Sequence, residues 1–293
     1  MRLDKPTGIH LLFLPCSWSI AMASYSHAIP IQTTLWTLGL FSVGSIVMRG
    51  AGCTINDLWD QKIDQKVSRT QDRPIAAGLI SNRNAIVFLG AQLSLGLGVL
   101  TQLNTYSILL GAASLPFVVL YPLMKRITFW PQAFLGITFN WGSFLGWAAM
   151  IGSCDWYVLL PLYLSAIQWT LFYDTIYALQ DLKDDKIAGV KSTAQRFESH
   201  IHAWLSAFAL GTVTCLGIAG YQNDQTLIYY TGILMAGIHF MWQISQIRLS
   251  NVQNASILFS SNVKTGWIIF ASIVMDEVIK RRKEQTQNEE RFQ

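Results

Sequence analysis

Apolar stretches of roughly 20 residues recur along the whole chain, and a helix of about that length crosses some 30 Å of hydrocarbon with its backbone groups satisfied. The stretches fall at about 9–29, 34–55, 84–103, 105–123, 131–151, 156–178, 202–221, 226–246 and 263–279. Nine such helices leave almost no chain for a separate soluble domain. The expected fold is therefore all-α, a polytopic bundle of about nine transmembrane helices over residues 1–279 with a polar basic tail at 280–293. Composition agrees, since 13% of residues are charged and 52% apolar, where a soluble domain is about a quarter charged.

Basic residues in short loops bias those loops to one side of a membrane. With these spans, Arg2 and Lys5, the 56–83 loop, Lys125-Arg126, the 179–201 loop, Arg248 and Lys264 share a side. The opposite loops, 30–33, 104, 152–155 and 222–225, contain no Lys or Arg. Lys280-Arg281-Arg282-Lys283 breaks the pattern, because nine crossings place it on the uncharged side. The net charge of +4 suits an anionic leaflet or an anionic substrate. No stripe of bases with interleaved aromatics suggests nucleic acid as a partner. Met1-Arg2-Leu3-Asp4-Lys5-Pro6 leads directly into the first span, so no cleavable presequence is visible.

Cys16, Cys53, Cys154 and Cys215 lie in or beside spans without CxxC spacing and read as small buried apolar residues. His10, His27, His200, His202 and His239 form no HxxxH or HExxH pair, which argues against zinc or haem.

Two acidic strings remain, Asn56-Asp57-Leu58-Trp59-Asp60-Gln61-Lys62-Ile63-Asp64 after the second span and Tyr177-Ala178-Leu179-Gln180-Asp181-Leu182-Lys183-Asp184-Asp185 after the sixth. Carboxylates near hydrocarbon are costly, and like charges facing one another more so, unless cations lie between them. Helical residues four apart advance by only about 40°, so Asn56, Asp60 and Asp64 form one stripe, and Tyr177, Asp181 and Asp185 another. Asp174 lies almost in line with Asp181, about two turns deeper. Asp57 and Asp184 flank the stripes. Both strings end even-numbered spans and so open on the same membrane side, free to face each other across a bundle. A few oxygen ligands suit Mg²⁺, which usually takes one or two carboxylates and leaves room for substrate phosphate. Neither string has the Gly turn of an EF-hand loop, which disfavours calcium.

Cations follow each string: Lys66, Arg69 and Arg73 the first, Lys191 the second. Such bases often only set topology, but after both acidic strings they also supply the charge-assisted hydrogen bonds that a diphosphate needs. Helix, acidic stripe and basic loop recur about 120 residues apart, a pattern that an internally duplicated carrier can also show. A lipid-embedded magnesium site with cationic loops fits an amphiphile with a diphosphate head and a long apolar tail, such as an isoprenoid diphosphate. Metal and bases then stabilise the departing diphosphate, and apolar and aromatic side chains, with Phe139, Trp141 and Trp147 among the candidates, keep water from the allylic cation.

Several strings together carry a family resemblance. They are Gly50-Ala51-Gly52-Cys53-Thr54-Ile55-Asn56-Asp57 through Asp64, the Arg69–Gly78 loop with Arg73-Pro74-Ile75-Ala76-Ala77-Gly78, Tyr121-Pro122-Leu123-Met124-Lys125-Arg126, and Tyr173-Asp174-Thr175-Ile176-Tyr177-Ala178 through Lys191-Ser192-Thr193-Ala194. These resemble the UbiA superfamily of membrane prenyltransferases. Arg2-Leu3-Asp4-Lys5-Pro6-Thr7-Gly8 and Gly136-Ile137-Thr138-Phe139-Asn140-Trp141-Gly142 are similar to its branch that prenylates 4-hydroxybenzoate for ubiquinone. The likeness runs from Arg2 to about Thr265.

The resemblance implies a nine-helix bundle around a central cavity in the mitochondrial inner membrane. It implies Mg²⁺ as cofactor, held by Asn56, Asp60 and Asp64 from the first motif and Asp181 and Asp185 from the second, with Arg69, Arg73 and Lys191 at the diphosphate and Arg126 on the carboxylate of the aromatic acid. The implied catalytic set is Asp60, Asp64, Asp181, Asp185 and Arg126, and the substrate contacts are Lys66, Arg69, Arg73, Lys191 and Tyr177. The implied partners are polyprenyl diphosphate, 4-hydroxybenzoate, membrane lipid and other proteins of ubiquinone synthesis. The implied reaction is attack on the prenyl cation by the ring carbon ortho to the hydroxyl, followed by loss of the ring proton. Gln61 departs from the family, standing where relatives often carry Arg. Another acceptor, such as homogentisate, a naphthoate or haem, is the nearer alternative, and a cation-coupled carrier the more distant one.

Overall fold

The computed structural model describes residues 3–67, 70–248 and 252–291, so Arg2 and Arg69 lie outside the described residues. Every regular element among them is helical. In chain order these are α1 Thr7–His27, α2 Ile31–Asp64, α3 Asn82–Leu100, α4 Thr105–Ala112, α5 Leu115–Ile127, α6 Pro131–Phe139, α7 Gly142–Ile151, α8 Trp156–Ala178, α9 Leu182–Ala188, α10 Thr193–Phe197, α11 Ile201–Gln222, α12 Leu227–Gln246 and α13 Val252–Arg291, with short 3₁₀ turns at Leu179–Asp181 and Glu198–His200. Pairing α4 with α5 and α6 with α7 gives nine membrane-length segments among the described residues.

The two broken spans have local causes. Pro116 lies at the start of α5, where its missing N–H and its ring prevent α4 from continuing unbroken. Between α6 and α7, the buried Asn140 side chain donates to the Gly136 carbonyl and the Thr170 hydroxyl, both at 2.8 Å. A side chain that takes up a carbonyl of its own helix competes with the helical ladder.

Eight segments are long and apolar enough to cross a membrane, and the remaining one, α8, is 23 residues long. Its lower hydropathy suits its position, since it packs against α1, α6, α7, α11 and α13 and turns Tyr163, Ser165, Thr170, Tyr173 and Thr175 into protein and Asp174 and Tyr177 to the cavity. Trp169 of α8 meets Trp18 of α1 with ring centroids 5.0 Å apart. Their indole N–H groups donate to Asn262 and to the Gly266 carbonyl of α13, which locks three helices around one polar seam. Small residues permit close packing elsewhere: a Cβ at Gly146 of α7 would strike α1, and one at Gly232 of α12 would strike Ser272 of α13.

The last helix differs from its expected range of 263–279, for α13 spans 40 residues, or about 60 Å. The basic tail on the uncharged side now has a physical account. Lys280 donates to the Tyr25 carbonyl at 3.1 Å with its ammonium 4.1 Å from the Tyr25 ring centroid, and Arg281 donates to the Ile29 carbonyl at 2.5 Å and to Glu277 at 2.6 Å. Buried Asp276 accepts from the Thr226 amide at 2.7 Å and from its hydroxyl, capping α12. Lys280 and Arg281 thus serve the carbonyls at and just after the end of α1 and the buried Glu277 carboxylate.

Candidate functional site

The second helix does not stop at the expected residue 55. It continues to Asp64, so the first acidic string lies on regular helix and Asn56, Asp60 and Asp64 stay on one stripe. The second string is less regular than expected, because α8 ends at Ala178 and the Leu179–Asp181 turn intervenes before α9. Even so, Tyr177, Asp181 and Asp185 face the same space. A cavity of about 170 Å³ is lined by Asn56, Asp60 and Asp64 from one side and by Asp174, Tyr177, Asp181 and Asp185 from the other. Arg73, Lys125 and Lys191 also line it, with Tyr121, Thr70, Gln132 and Ser192.

Asp60 is 1% exposed and receives the Lys125 ammonium on Oδ2. Its Oδ1 has no hydrogen-bond partner, although the Arg126 guanidinium lies 3.8 Å away. Arg73 bridges Asp57 at 3.0 Å and Asp64 at 2.7 Å, leaving its own buried Nε without a partner. Thr70 donates to the Asp64 carbonyl at 3.0 Å and fixes the turn that brings Arg73 back over α2. Gln61 donates to the Ile75 carbonyl at 3.2 Å and Gln65 to that of Ala76 at 3.0 Å, so the loop is strapped to its own helix. Gln61, where the resemblance expects Arg, therefore works as a strap.

The second basic loop is bolted to the end of the fourth span. Lys191 donates its amide to the Lys125 carbonyl at 2.9 Å and its ammonium to the Ile127 carbonyl at 3.1 Å. Buried Gln132 accepts the Thr193 amide at 3.0 Å, and the Ser192 hydroxyl caps α10.

Of the residues singled out in the sequence, Asn56, Asp60, Asp64, Arg73, Tyr177, Asp181, Asp185 and Lys191 come together on this cavity. Lys66 is exposed on the turn after α2 and does not line it. Arg126 stands at the rim, 47% exposed, donating to the Trp59 carbonyl at 3.1 Å. Arg69 lies outside the described residues. Two lining residues, Lys125 and Gln132, and one residue near the cavity but outside its lining, Arg49, were missed. Lys125 was read as a topology charge and as part of a family string but given no place at the site, and Gln132 carries no sequence signal. Arg49, by contrast, is a lone arginine inside the apolar run of the second span, which is a signal in itself. Its guanidinium lies 5.8 Å from the Phe139 ring centroid and within electrostatic reach of Tyr121 and Tyr173. Gly8 makes room for it, since a Cβ there would overlap the guanidinium.

The donors fit a hard cation beside an anion. All candidate ligands are oxygens, a buried carboxylate oxygen lacks a hydrogen-bond donor, and a buried guanidinium N–H lacks an acceptor. Among the described residues no three Asp, Glu, His or Cys converge closely enough to cage an ion by themselves. Mg²⁺ needs no such cage, because it usually keeps several waters and takes one or two carboxylates together with substrate phosphate.

Comparison with known proteins agrees with the fold and the motifs. The UbiA prenyltransferase family matches residues 12–273. A mouse protein described as mitochondrial 4-hydroxybenzoate polyprenyltransferase is 51% identical over 290 residues, 99% of this chain and 77% of its own. A UbiA homologue from Aeropyrum pernix superposes with a TM-score of 0.77 at 22% identity, covering 94% of this chain and 99% of that one. A UbiA homologue from Archaeoglobus fulgidus, bound to GPP and Mg²⁺, has a TM-score of 0.67 at 17% identity, covering 92% of this chain and 98% of that one. On the extent of these matches, the chain belongs to the UbiA prenyltransferase family.

Proposed function

We propose that this cavity is where a polyprenyl group passes from a polyprenyl diphosphate to 4-hydroxybenzoate, in the synthesis of ubiquinone. One juxtaposition carries the reading: both acidic clusters and the cations Arg73, Lys125 and Lys191 wall a single cavity in a membrane bundle. The activity described for the mouse relative supports the acceptor, and the ligands of the A. fulgidus homologue support the diphosphate and the metal. The word mitochondrial in the relative's description, with the apolar spans, supports a mitochondrial membrane, and the inner membrane is the proposed location.

Asn56, Asp60, Asp64, Asp181 and Asp185 would hold Mg²⁺. Bound there, the ion supplies Lewis-acid stabilisation of the leaving diphosphate. Arg73, Lys125 and Lys191 neutralise the charge that builds on the diphosphate oxygens as the C–O bond breaks. Aromatic groups near the cavity, Tyr121, Tyr177 and, past Arg49, Phe139, shield the allylic fragment from water. Attack by the ring carbon ortho to the hydroxyl forms the C–C bond, and the ring proton then leaves. Asp174, which lines the same cavity from α8, would accept that proton.

Two arginines are candidates for the carboxylate of 4-hydroxybenzoate. The resemblance implies Arg126, at the rim. Its exposure supports Arg49 instead, since a half-buried guanidinium gives a stronger charge-assisted pair than one bathed in water. Supplying membranes with one polyprenyl diphosphate and, in turn, 4-hydroxybenzoate, homogentisate, a naphthoate and haem tests the assignment. Product is expected with 4-hydroxybenzoate, and product with another acceptor alone overturns it.

A further inference from the structure

Lys125 stands where the first acidic wall meets the cavity, and its ammonium rests on Asp60. Asp60 is buried, so an uncompensated charge there would be strongly destabilising. The lysine supplies that compensation. Its position is not that of an ordinary surface pair. The backbone is pinned by the Lys191 amide on the Lys125 carbonyl at 2.9 Å, while a flexible four-carbon stem carries the charge into the cavity. Asp57 and Asp185, one from each string, lie within electrostatic reach of the same ammonium. Arg73 meanwhile covers Asp57 and Asp64. Each carboxylate of the first wall is thus already in contact with a cation belonging to the chain.

We propose that Lys125 is an exchangeable counter-ion for Asp60, which makes metal and diphosphate bind as a pair. The inference rests on the reading of the cavity as a magnesium–diphosphate site and adds a coupling that the reading alone does not require. A divalent ion that approaches Asp60 must displace the ammonium. With no diphosphate present, the ion engages Asp181 and Asp185 as well as Asp60, so the displaced ammonium is left in a space where Arg73 and Lys191 line the wall and Arg126 stands beside Asp60, and like-charge repulsion opposes the exchange. When diphosphate is present, the released ammonium has phosphate oxygens to pair with, and the exchange becomes favourable. Each ligand therefore raises the affinity of the other by one and the same factor. Productive loading then takes diphosphate and metal together, and Mg²⁺ alone leaves Asp60 to its lysine. Lys125 acts here as a positioning residue, deciding when the acidic wall is open to metal.

The test uses the full chain in lipid nanodiscs, with Mn²⁺ as the metal probe and inorganic pyrophosphate as the anion. Bound metal is read as Mn²⁺ retained with the nanodiscs on ultrafiltration, at a free Mn²⁺ level held equal with and without pyrophosphate, because pyrophosphate also chelates the ion in solution. The wild type is expected to bind Mn²⁺ tens of times more tightly with saturating pyrophosphate than without, within the usual range of about 5- to 150-fold for coupled sites. Lys125→Met is expected to bind Mn²⁺ alone roughly tenfold more tightly than the wild type and to lose most of the pyrophosphate effect, a change within that same range. Lys125→Arg keeps a cation on Asp60 and is expected to keep the coupling. A lysine that only gripped diphosphate would, on removal, weaken the pyrophosphate effect without tightening Mn²⁺ alone, and that result overturns the proposal. If Lys125→Met does not purify as a folded protein, the wild type decides, since equal Mn²⁺ affinity with and without pyrophosphate also overturns it. Failure of every form to bind Mn²⁺ even with pyrophosphate overturns the metal-site reading itself.

Discussion

The backbone amide of Lys191 donates to the carbonyl of Lys125 at 2.9 Å, joining the loop after the second acidic cluster to the end of the helix that presents a cation to the first. Two stretches 66 residues apart are thereby fixed edge to edge. The ammonium of Lys191 adds a second tie, to Ile127, and Gln132 a third, to the amide of Thr193. Lys125 and Lys191 are consequently held by one rigid joint, while Arg73 is held separately by Asp57 and Asp64; such fixed placement is what electrostatic stabilisation of a leaving group needs.

Removing one carboxylate from either wall should stop the reaction. Asp60→Asn and Asp181→Asn are each expected to lower kcat at least about 100-fold, the scale of losing one preorganised charge-stabilising group. Prenylation assayed in membranes with excess Mg²⁺ checks this, and full activity in both variants removes the acids from the mechanism.

Gln132→Leu strips the acceptor from a buried amide, at a cost of roughly 1–3 kcal/mol. The expected kinetic mark is a higher KM for polyprenyl diphosphate with the KM for 4-hydroxybenzoate unchanged, because the joint positions Lys191 and not the aromatic ring. Equal increases in both would mean that the whole cavity has loosened.

Arg49→Gln and Arg126→Ala separate the two candidates for the acceptor carboxylate. Arg49→Gln is expected to raise the KM for 4-hydroxybenzoate at least about tenfold, as befits loss of a charge-assisted pair worth roughly 1.5–3 kcal/mol. Arg126→Ala is expected to change it little. Reversal of that order returns the role to Arg126.

Glu277→Ala leaves Arg281 beside Ser24 and the Ile29 carbonyl without its carboxylate. Breaking a largely buried pair from one side costs on the order of 3 kcal/mol. The melting temperature in detergent should fall by several degrees, and the double variant Glu277→Ala with Arg281→Met should recover part of the loss. An unchanged melting temperature would make the pair dispensable.

Much of this was legible in the sequence because membrane solvation and helical geometry are simple rules. Hydrophobic length identifies the spans, and the spacing of Asn56, Asp60 and Asp64 survives folding because α2 stays regular through Asp64. The break at Leu179–Asp181 was not legible, yet Asp181 and Asp185 still reach the cavity. What sequence could not supply is pairing at a distance. Nothing local to Lys125 says that Asp60 lies against it, and Gln132 becomes meaningful only beside Thr193. The basic tail stayed unexplained in the sequence for the same reason, since the partners of Lys280 and Arg281, at Tyr25 and Ile29, lie about 250 residues earlier in the chain.

Mass spectrometry of the products formed by the purified chain in liposomes, given 4-hydroxybenzoate, Mg²⁺ and a mixture of polyprenyl diphosphates, tests the central claim most directly. The expected result is a polyprenyl adduct of 4-hydroxybenzoate, with fragments that place the chain on the ring carbon ortho to the hydroxyl, abolished by chelation of the metal and by Asp60→Asn. Absence of the adduct, or an adduct that forms equally well in the Asp60→Asn protein, would contradict it.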